Sequence, residues 1–304
     1  MYDIIIIGSG PAGLTAALYA LRADKRVLVL EKENFGGQIT FSPKVENYPA
    51  FMQISGNELA QKLMDQVMEH GADIELGEVT GIVCEPDRKK VLCTDEVYEA
   101  RAVIIATGSR HRQLGLEGEN ELIGAGISYC AVCDGAFYKG KTVAVIGGGD
   151  TALGEALYLS DIAQKVYLIH RRDEFRGNRS LCSRVAAKEN IETVMSAVPE
   201  EITGESRVDG IVVSIDGNAK KLDTDGVFVA VGTAPASSPL DGVVKMNDGY
   251  IVAGEDCITS DNGIFAAGDV REKPLRQVIT AAADGANSVY SAEKYLREIG
   301  RAEQ

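Results

Sequence analysis

Short apolar runs alternate along this chain with longer segments of helical periodicity. Residues 3–7 form a β-branched run, residues 14–21 repeat apolar positions at helical spacing, and residues 26–30 are again a short apolar run. A glycine-rich turn separates the first run from the helical segment. The order strand, glycine-rich turn, helix, strand is typical of a βαβ unit with parallel strands and a right-handed crossover. The pattern predicts a doubly wound α/β domain at the start of the chain.

The same order recurs in the middle of the chain. Apolar residues 142–146 precede a second glycine-rich turn, a helix-like segment covers residues 152–159, and residues 165–170 form the next apolar run. Because the two patterns lie well over a hundred residues apart, they cannot belong to one βαβ unit. We therefore predict an α/β protein with two Rossmann-like dinucleotide-binding domains.

Two polar, glycine-rich segments, residues 114–120 and residues 235–242, are candidate linkers. The tail beyond the second linker, with a helix predicted over residues 282–298, is too short for a domain of its own. We expect it to complete the first domain, which is then discontinuous. The predicted limits are residues 1–114 and 243–304 for the first domain, and residues 115–242 for the domain inserted into it.

The first glycine-rich turn has the spacing of a dinucleotide fingerprint. It reads Gly8-Ser9-Gly10-Pro11-Ala12-Gly13. Gly8 permits the tight turn, Gly10 lets the backbone approach a pyrophosphate at the helix N-terminus, and Gly13 lets helix and strand pack closely. Glu31 ends the next predicted strand, near the offset expected for an acceptor of ribose hydroxyls. The turn predicts a site for an unphosphorylated ribose.

The second glycine-rich turn ends differently. It reads Gly147-Gly148-Gly149-Asp150-Thr151-Ala152, with alanine at the third glycine position. The following strand ends in His170-Arg171-Arg172, with Arg176 four residues further on. Arginine offers charge-assisted, often bidentate hydrogen bonds to a 2′-phosphate, which an acid would repel. This turn predicts an NADP site; the alternative is a solvated basic face on an acidic protein.

Cys130 and Cys133 are separated by two residues and followed directly by Asp134. A structural zinc site usually needs four ligands, and this chain has one close cysteine pair and three widely spaced histidines. The alternatives of zinc and of a chance pair of thiols remain, but a redox dithiol is favoured. In a dithiol one thiolate attacks a partner disulfide and the other resolves the mixed disulfide. Asp134 can exchange protons only where burial raises its pKa.

Composition narrows the class of protein. The net charge is −14, which disfavours nucleic acid and anionic membranes as partners. The N-terminus has no basic region followed by a long apolar stretch, so neither a signal peptide nor a membrane span is predicted, and we expect a cytoplasmic protein. We predict no metal site. The other four cysteines are scattered, and we interpret them as packing residues.

Taken together, these motifs resemble those of the low-molecular-weight, bacterial-type thioredoxin reductases, in the class II pyridine nucleotide-disulfide oxidoreductase family. The resemblance covers essentially the full length. Besides the two glycine-rich turns, it rests on Gly36-Gly37-Gln38, Glu46-Asn47-Tyr48-Pro49, Ala106-Thr107-Gly108, Cys130-Ala131-Val132-Cys133-Asp134, HRRDEFR at residues 170–176, and Ala267-Gly268-Asp269 followed by Arg276-Gln277. The combination and the order of these motifs are specific, whereas each motif alone is weak.

The resemblance implies FAD in the first domain and NADPH in the inserted domain. The residues implied around FAD are Gly8, Gly10, Pro11, Ala12, Gly13, Glu31, Gly37, Gln38, Asn47, Thr107, Gly108, Gly268, Asp269, Arg276 and Gln277. Those implied around NADPH are Gly147, Gly149, Asp150, Thr151, His170, Arg171, Arg172 and Arg176. The implied catalytic residues are Cys130, Cys133 on the flavin side, and Asp134 as the acid.

The implied reaction passes electrons from NADPH through FAD and the Cys130–Cys133 disulfide to thioredoxin. The resemblance also implies a homodimer and a rotation between the domains, so that nicotinamide and disulfide reach the flavin in turn. Three alternatives remain: a related flavoprotein that serves a peroxidase, a ferredoxin-linked reductase, and a non-catalytic redox sensor. The peroxidase-linked relatives usually carry an extra N-terminal thioredoxin-like region, and a ferredoxin-linked enzyme has no need of the arginine cluster.

Overall fold

The computed structural model describes residues 1–42 and 44–302. The α-helices of these residues are α1 Pro11–Arg22, α2 Gly56–Glu69, α3 Ala131–Asp134, α4 Asp150–Ser160, α5 Arg179–Ala186 and α6 Val278–Ala302. The strands are β1 Tyr2–Ile7, β2 Val27–Glu31, β3 Asp73–Leu76, β4 Val79–Cys84, β5 Lys89–Cys93, β6 Val97–Ile105, β7 Ser109–His111, β8 Ile127–Ser128, β9 Thr142–Ile146, β10 Lys165–Ile169, β11 Ile191–Val194, β12 Ala197–Thr203, β13 Gly210–Ile215, β14 Asn218–Asp223, β15 Gly226–Val229, β16 Thr233–Pro235, β17 Met246–Asn247, β18 Tyr250–Ile251 and β19 Ile264–Ala266.

The chain folds into two compact units. Unit 1 contains residues 1–110 and the chain from residue 234 onward, and unit 2 contains residues 111–233. The glycine-rich segment 114–120 is a turn of unit 2, in which the Glu119 carboxylate accepts hydrogen bonds from the N–H groups of Leu114, Gly115 and Leu116. The segment is polar and glycine-rich because it forms a turn closed by the Glu119 carboxylate, and it is not a linker between the units. The predicted limits at residues 114 and 242 lie four and nine residues beyond the points, residues 110 and 233, where the chain passes between the units.

Unit 1 is built on a mixed sheet with the strand order β3-β2-β1-β6-β5-β4, and β19 also pairs with β6. Strands β3, β2, β1, β6 and β19 are parallel to one another, whereas β5 pairs antiparallel with both β6 and β4 at the edge of the sheet. Side chains alternate between the two faces of β1. Ile4 and Ile6 pack with residues of α1 and α6, while Ile5 and Ile7 pack in a second core on the other face. The sheet is therefore buried on both sides, as expected of a parallel sheet.

Unit 2 contains a parallel sheet with the order β11-β10-β9-β15-β8 and an antiparallel sheet of β12, β13 and β14. Alternate residues of β9 again serve two cores. Val143 and Val145 pack with α4, whereas Ala144 and Ile146 pack in a second core that includes residues of the antiparallel sheet. Helix α1 therefore follows β1 directly and helix α4 follows β9 directly, which positions the two glycine-rich turns.

Three helices begin earlier in the structure than the sequence pattern predicts. Helix α1 begins at Pro11 rather than residue 14, because proline suits the first helical turn, where an N–H would have no partner. Helix α4 begins at Asp150 rather than residue 152. Helix α6 begins at Val278 rather than residue 282 and extends to Ala302. Strand β9 has the predicted bounds.

The scattered cysteines differ in their environments. Cys257 is buried, and burial is the main cause that raises the pKa of its thiol to about 12. Cys93 and Cys182 are partly buried, which agrees with a packing role. Cys84 is exposed on β4, so the packing interpretation was wrong for that residue. No helix in the described ranges is long and apolar enough to cross a membrane.

Candidate functional site

The first glycine-rich turn connects β1 to α1 within a crowded backbone. Gly8 has a φ of 105°, and a Cβ there would lie 2.4 Å from the carbonyl oxygen of Ala106. At Gly13 a Cβ would lie 1.9 Å from the carbonyl oxygen of Gly8. Only glycine fits at these two positions, which brings the start of α1 against the turn. Helix α1 has Gly10 as its N-cap and receives no side-chain cap from the described residues, so its first N–H groups remain available to an anion.

Glu31 at the end of β2 folds back onto the same turn. Its Oε2 accepts hydrogen bonds from the backbone N–H of Ser9 at 2.9 Å and from Ser9 Oγ at 2.7 Å. Its Oε1 accepts from the backbone N–H groups of Lys32 and Glu33. The carboxylate thus lies beside the turn, where its oxygens can also accept hydrogen bonds from ribose hydroxyls.

Three neighbouring parallel strands end at this turn. Ile7 of β1 pairs with Ile105 of β6, and Ile105 pairs with Ala266 of β19. Because carboxyl ends of parallel strands meet at one sheet edge, the Gly8, Thr107 and Asp269 regions come together there, as in other doubly wound ligand sites. Residues separated by more than 250 positions in the chain are thereby gathered at one edge.

Two buried polar atoms at this edge lack a hydrogen-bond partner among the described residues, Thr107 Oγ1 and Asp269 Oδ1. Burial raises the pKa of the Asp269 carboxyl, and Lys273 and Arg276 oppose that rise. A Cβ at Gly108 would meet no heavy atom within 4 Å. Unpartnered donors and acceptors beside open space are what a polar ligand would satisfy, so these residues fit the hydroxyl-rich chain and pyrophosphate of a flavin nucleotide.

The short turn carrying Gly268 and Asp269 is fixed by a buried carboxylate. Asp284 on α6 accepts hydrogen bonds from the Gly268 N–H at 3.0 Å, from Arg271 at 2.7 and 2.8 Å, and from Lys273 at 2.8 Å. Burial opposes ionisation of Asp284, but the hydrogen bonds from Arg271 and Lys273 outweigh it and lower its pKa. Asp284 therefore holds the turn as an anion paired with two cations.

Two further predicted residues meet although they lie far apart in sequence. Asn47 Nδ2 donates to Gln277 Oε1 at 3.0 Å across 230 positions. The neighbouring Arg276 lies 4.4 Å over the ring of Tyr250, and its buried Nε has no hydrogen-bond partner in the described ranges. Gln38 lies exposed in a short 3-10 turn, Gly37–Phe41, that begins against Gly10. All of these side chains belong to unit 1.

The second glycine-rich turn connects β9 to α4 in unit 2. A Cβ at Gly147 would lie 2.4 Å from the carbonyl oxygen of Ala230, the analogue of the contact at the first turn. Gly149 is the N-cap of α4 and lies in open space, and no side chain of the described residues caps the helix. Asp150 instead accepts a hydrogen bond from the Asn178 N–H at 2.6 Å, whereas Thr151 is exposed. The free helix N-terminus fits a pyrophosphate.

The basic segment after β10 is attached to this turn. The Arg176 N–H donates to the Gly148 carbonyl at 2.8 Å, and the His170 ring lies directly under Gly148, where a Cβ would be 2.3 Å away. His170 is buried against Phe175, and burial, followed by the nearby arginines, lowers its pKa. Arg171, Arg172 and Arg176 are exposed, and none of the three forms an ion pair with a described residue. They are therefore available to a phosphate.

The cysteine pair lies at the start of α3 in unit 2. Cys130 and Cys133 form a disulfide with Cα atoms 5.3 Å apart. Cys130 is the N-cap of the single helical turn, and its carbonyl accepts hydrogen bonds from the N–H groups of Cys133 and Asp134. One turn of helix therefore fixes both sulfurs and the following carboxyl in one local unit. No cluster of three or more histidine, cysteine or acidic side chains in the described ranges could hold a metal ion.

Asp134 is connected to this pair through Ser128. Ser128 Oγ donates to Asp134 Oδ2 at 2.6 Å and accepts from the Cys130 N–H at 3.1 Å. Burial raises the pKa of Asp134, and the Ser128 hydrogen bond opposes the rise. The carboxyl is thus placed and shifted in the direction that proton exchange near neutral pH requires.

The family comparison agrees with this arrangement. Residues 2–285 match the family described as pyridine nucleotide-disulphide oxidoreductase. The chain belongs to this family. The predicted family and fold class, with one nucleotide-binding unit inserted into the other, are therefore confirmed. Membership implies a flavin and a pyridine nucleotide as cofactors.

Named relatives cover nearly the whole chain. The thioredoxin reductase of Listeria monocytogenes is 44% identical over 303 residues, which are 98% of this chain and 95% of that protein. The thioredoxin reductase of Bacillus subtilis is 42% identical over 303 residues, 98% of this chain and 96% of that protein. The crystal structure of thioredoxin reductase from Streptococcus pyogenes MGAS5005 matches with a TM-score of 0.94 and 41% identity, covering 98% of this chain and 99% of that one.

Three residues at these family sites escaped the sequence prediction: Ser128, Asp284 and Glu155. Glu155 on α4 accepts a hydrogen bond from the Ala131 N–H, directly after the first cysteine. For Asp284 and Glu155 the available signal was an acid with only small neighbours in the sequence, such as Gly154 and Ala156 on either side of Glu155. That signal marks a buried or half-buried acid but does not indicate its partner.

Proposed function

We propose that the protein is a thioredoxin-disulfide reductase that passes electrons from NADPH, through FAD and the Cys130–Cys133 disulfide, to thioredoxin. The observation that carries the proposal is the disulfide at α3 with the Ser128–Asp134 proton pair beside it. The near full-length similarity to proteins named thioredoxin reductase supports the choice of substrate. The predicted homodimer and cytoplasmic location stay predictions.

The first turn and its neighbours would hold FAD. Glu31 would accept from ribose hydroxyls, the N-terminus of α1 would take the pyrophosphate, and Asp269 would bond the ribityl chain. The unpartnered oxygens of Thr107 and Asp269 support this assignment. When bound, FAD would supply a two-electron carrier between nucleotide and disulfide. Gln38, Asn47, Arg276 and Gln277 would border the flavin side.

The second turn would hold NADPH. The N-terminus of α4 would take the pyrophosphate, and Arg171, Arg172 and Arg176 would bind the 2′-phosphate. Support comes from the exposed guanidinium groups on a segment that is hydrogen-bonded to the turn through Arg176. NADH has no 2′-phosphate, so with NADH bound these three arginines would have no anion to pair with.

The chain's own residues account for the sulfur chemistry. The Cys130–Cys133 bond breaks on accepting two electrons, and uptake of one proton by the sulfurs gives one thiol and one thiolate. Cys130 as a thiolate attacks the thioredoxin disulfide and forms a mixed disulfide. Cys133 then attacks the Cys130 sulfur, restores the intramolecular bond and releases thioredoxin as a dithiol after protonation. Asp134, held by Ser128, exchanges the proton with the departing sulfur.

A thioredoxin-coupled assay tests the proposal. Wild-type protein should oxidise NADPH in the presence of FAD and thioredoxin, with NADH much poorer as donor. Cys133→Ser should abolish thioredoxin reduction while flavin reduction by NADPH persists. Equal rates with NADPH and NADH would overturn the arginine assignment, and thioredoxin reduction by the Cys133→Ser variant would overturn the dithiol assignment.

The predicted alternatives are outcomes of the same assay. A yellow protein that does not turn over NADPH with thioredoxin favours a redox sensor. Turnover with a peroxidase-type disulfide protein or with ferredoxin, but not with thioredoxin, favours one of the other two reductases.

A further inference from the structure

A second carboxyl group, Glu155 on α4, contacts the segment that carries the disulfide. Its Oε1 accepts a hydrogen bond from the Ala131 N–H at 3.3 Å, and Ala131 directly follows Cys130. Its Oε2 is sealed from solvent and has no hydrogen-bond partner in the described ranges. The carboxyl therefore lies one peptide unit from a reacting sulfur, with half of its hydrogen-bonding capacity unused. Neither the sequence motifs nor the proposed reaction has assigned it a role.

The surroundings of Glu155 place the pKa of its carboxyl near neutral pH. Burial raises its pKa to about 7, and the Ala131 N–H is the group that opposes the rise. No cation contributes to this pKa. Apart from the cysteine pair, the titratable and charged groups on α4 and on the helices and strand packed against it are Asp134, Asp150, Tyr158, Arg179, Cys182, Arg184, Lys165 and Tyr167.

Glu155 differs from Asp134 in how it is held. The carboxyl of Asp134 accepts from the Ser128 hydroxyl, which also accepts from the Cys130 N–H. The carboxyl of Glu155 instead contacts the Ala131 N–H from a different helix. The dithiol segment thus has two carboxyls with separate partners. A change at Glu155 can leave the Ser128–Asp134 pair in place.

We propose that Glu155 is a positioning residue of the Cys130–Cys133 couple, which holds the Ala131 amide and takes up a proton when the disulfide is reduced. The inference rests on the proposed function, because that function requires the disulfide to cycle. A negative charge on Glu155 disfavours a second negative charge on Cys130. Protonation of Glu155 removes that repulsion and permits the thiolate that attacks a substrate disulfide.

The step balances in electrons and protons. The reduced pyridine nucleotide, by way of the flavin, supplies two electrons, and the sulfur–sulfur bond breaks. One proton goes to one sulfur, which becomes a thiol. The second goes to the Glu155 carboxylate while the other sulfur remains a thiolate. Below pH of about 7 Glu155 is already neutral in the disulfide state, so it takes up no proton there. Glu155 takes up a proton just above that pH, because there its carboxyl is ionised before the disulfide is reduced and neutral afterwards.

A titration of the dithiol–disulfide equilibrium against pH tests this role, using FAD-loaded protein and a defined thiol–disulfide buffer. Oxidation of the buffer thiols releases two protons, so just above pH 7 the wild-type exchange constant should stay about constant with pH, because the protein takes up two. In Glu155→Gln it should rise about tenfold per pH unit, because the protein takes up only one. A tenfold difference corresponds to about 30 mV for two electrons. The two curves should converge below pH 7.

Thiol alkylation of the reduced protein provides a second measurement. Because the thiolate is the reactive form and the reduced wild type has a neutral Glu155 beside it, the rate just above pH 7 should be about the same in wild type and Glu155→Gln. Glutamine keeps an oxygen acceptor for the Ala131 N–H, so the variant separates charge from positioning. Glu155→Leu removes both, and Glu155→Asp should restore a pH dependence near that of the wild type.

Asp161→Asn is the matched control, since it also removes one carboxylate at the end of α4 but from an exposed side chain paired with Lys188. Its equilibrium curve should follow the wild type. Superimposable curves for wild type and Glu155→Gln, or an alkylation rate about tenfold higher in Glu155→Gln, would overturn the proposal. The test does not use thioredoxin, so wild-type protein that fails to reduce thioredoxin counts against the proposed function and leaves this titration interpretable.

Discussion

The two glycine-rich turns have similar backbone geometry, but the strands that follow them end in residues of opposite charge. In unit 1 the strand after the helix ends in Glu31, whose carboxylate is hydrogen-bonded to Ser9 of the turn. In unit 2 the corresponding strand is followed by a buried His170 and by exposed arginines. In the proposed function the turn itself would bind the pyrophosphate in either case. The ribose end would then carry the discrimination, through one acceptor in the first unit and several cations in the second.

The turns also differ in how tightly helix and strand are packed. At Gly13 a Cβ would clash with the backbone of Gly8, whereas the equivalent position in the second turn holds Ala152. The third position of the fingerprint therefore reports the local spacing of helix and strand. It does not by itself report which nucleotide binds.

The largest expected effect concerns the buried carboxylate behind the first site. Asp284→Asn should lower the free energy of unfolding by about 3–5 kcal/mol, because Arg271 and Lys273 keep buried charges without an anion. It should also promote flavin release, since Asp284 accepts from the Gly268 N–H. Thermal unfolding and the flavin fraction retained after gel filtration measure the two effects.

The pH dependence of the same variant sharpens that test. The pKa of Asp284 is lowered in the folded protein, so its stabilisation is present above the unfolded-state pKa and is lost as pH falls through the folded-state pKa. Wild type and Asp284→Asn should therefore approach each other in stability at strongly acidic pH. A constant difference down to the acid transition would contradict the ion-pair explanation.

The next effect compares a crowded glycine of the first turn with a glycine of the second turn that lies in open space. Gly13→Ala should lower the free energy of unfolding by about 3 kcal/mol, because its Cβ meets backbone that cannot move aside. Gly149→Ala should change it by no more than about 0.5 kcal/mol, since a Cβ there meets no atom within 4 Å and its φ is −97°. Denaturant titrations of both variants measure the contrast. Equal destabilisation would show that the crowding of the first turn is not specific to it.

The smallest expected effect concerns nucleotide preference. Arg171→Ala combined with Arg172→Ala should raise the KM for NADPH about a hundredfold and leave the KM for NADH nearly unchanged, because each charged hydrogen bond contributes about 1.5–3 kcal/mol. Steady-state kinetics with the two donors measure the change. Arg179→Ala, on the exposed first turn of α5, serves as a control for the loss of positive charge. A parallel rise for both nucleotides would show that the arginines act on something other than the 2′-phosphate.

Sequence reasoning performed best where the physics is local. The spacing of glycines after a β-branched run identified both turns, and the CxxC motif identified the redox pair, because each depends on a few consecutive residues. Helix starts were less accurate: α6 begins four residues before its predicted start. The first turn of a helix carries little periodicity, so pattern reasoning tends to place its start too late.

The polar partners that hold the sites were the part that sequence reasoning missed. Asp284 and Glu155 each occur as an isolated acid in a helix, and neither forms a motif with its neighbours. Asp284 acquires its role from Gly268, 16 positions away, and Glu155 from Ala131, 24 positions away. Hydrogen bonds of this kind depend on which helix packs on which strand end.

The sequence by itself determined the family, the two glycine-rich turns, the acidic and basic residues after their second strands, and the cysteine pair. Only the tertiary structure decided that Thr107 and Asp269 share one sheet edge, that Asn47 meets Gln277 across 230 positions, and that Glu155 contacts the dithiol segment. The physical reason is that parallel strands take their neighbours from distant parts of the chain. Local propensities fix each strand and turn, whereas the order of strands in the sheet fixes which side chains meet.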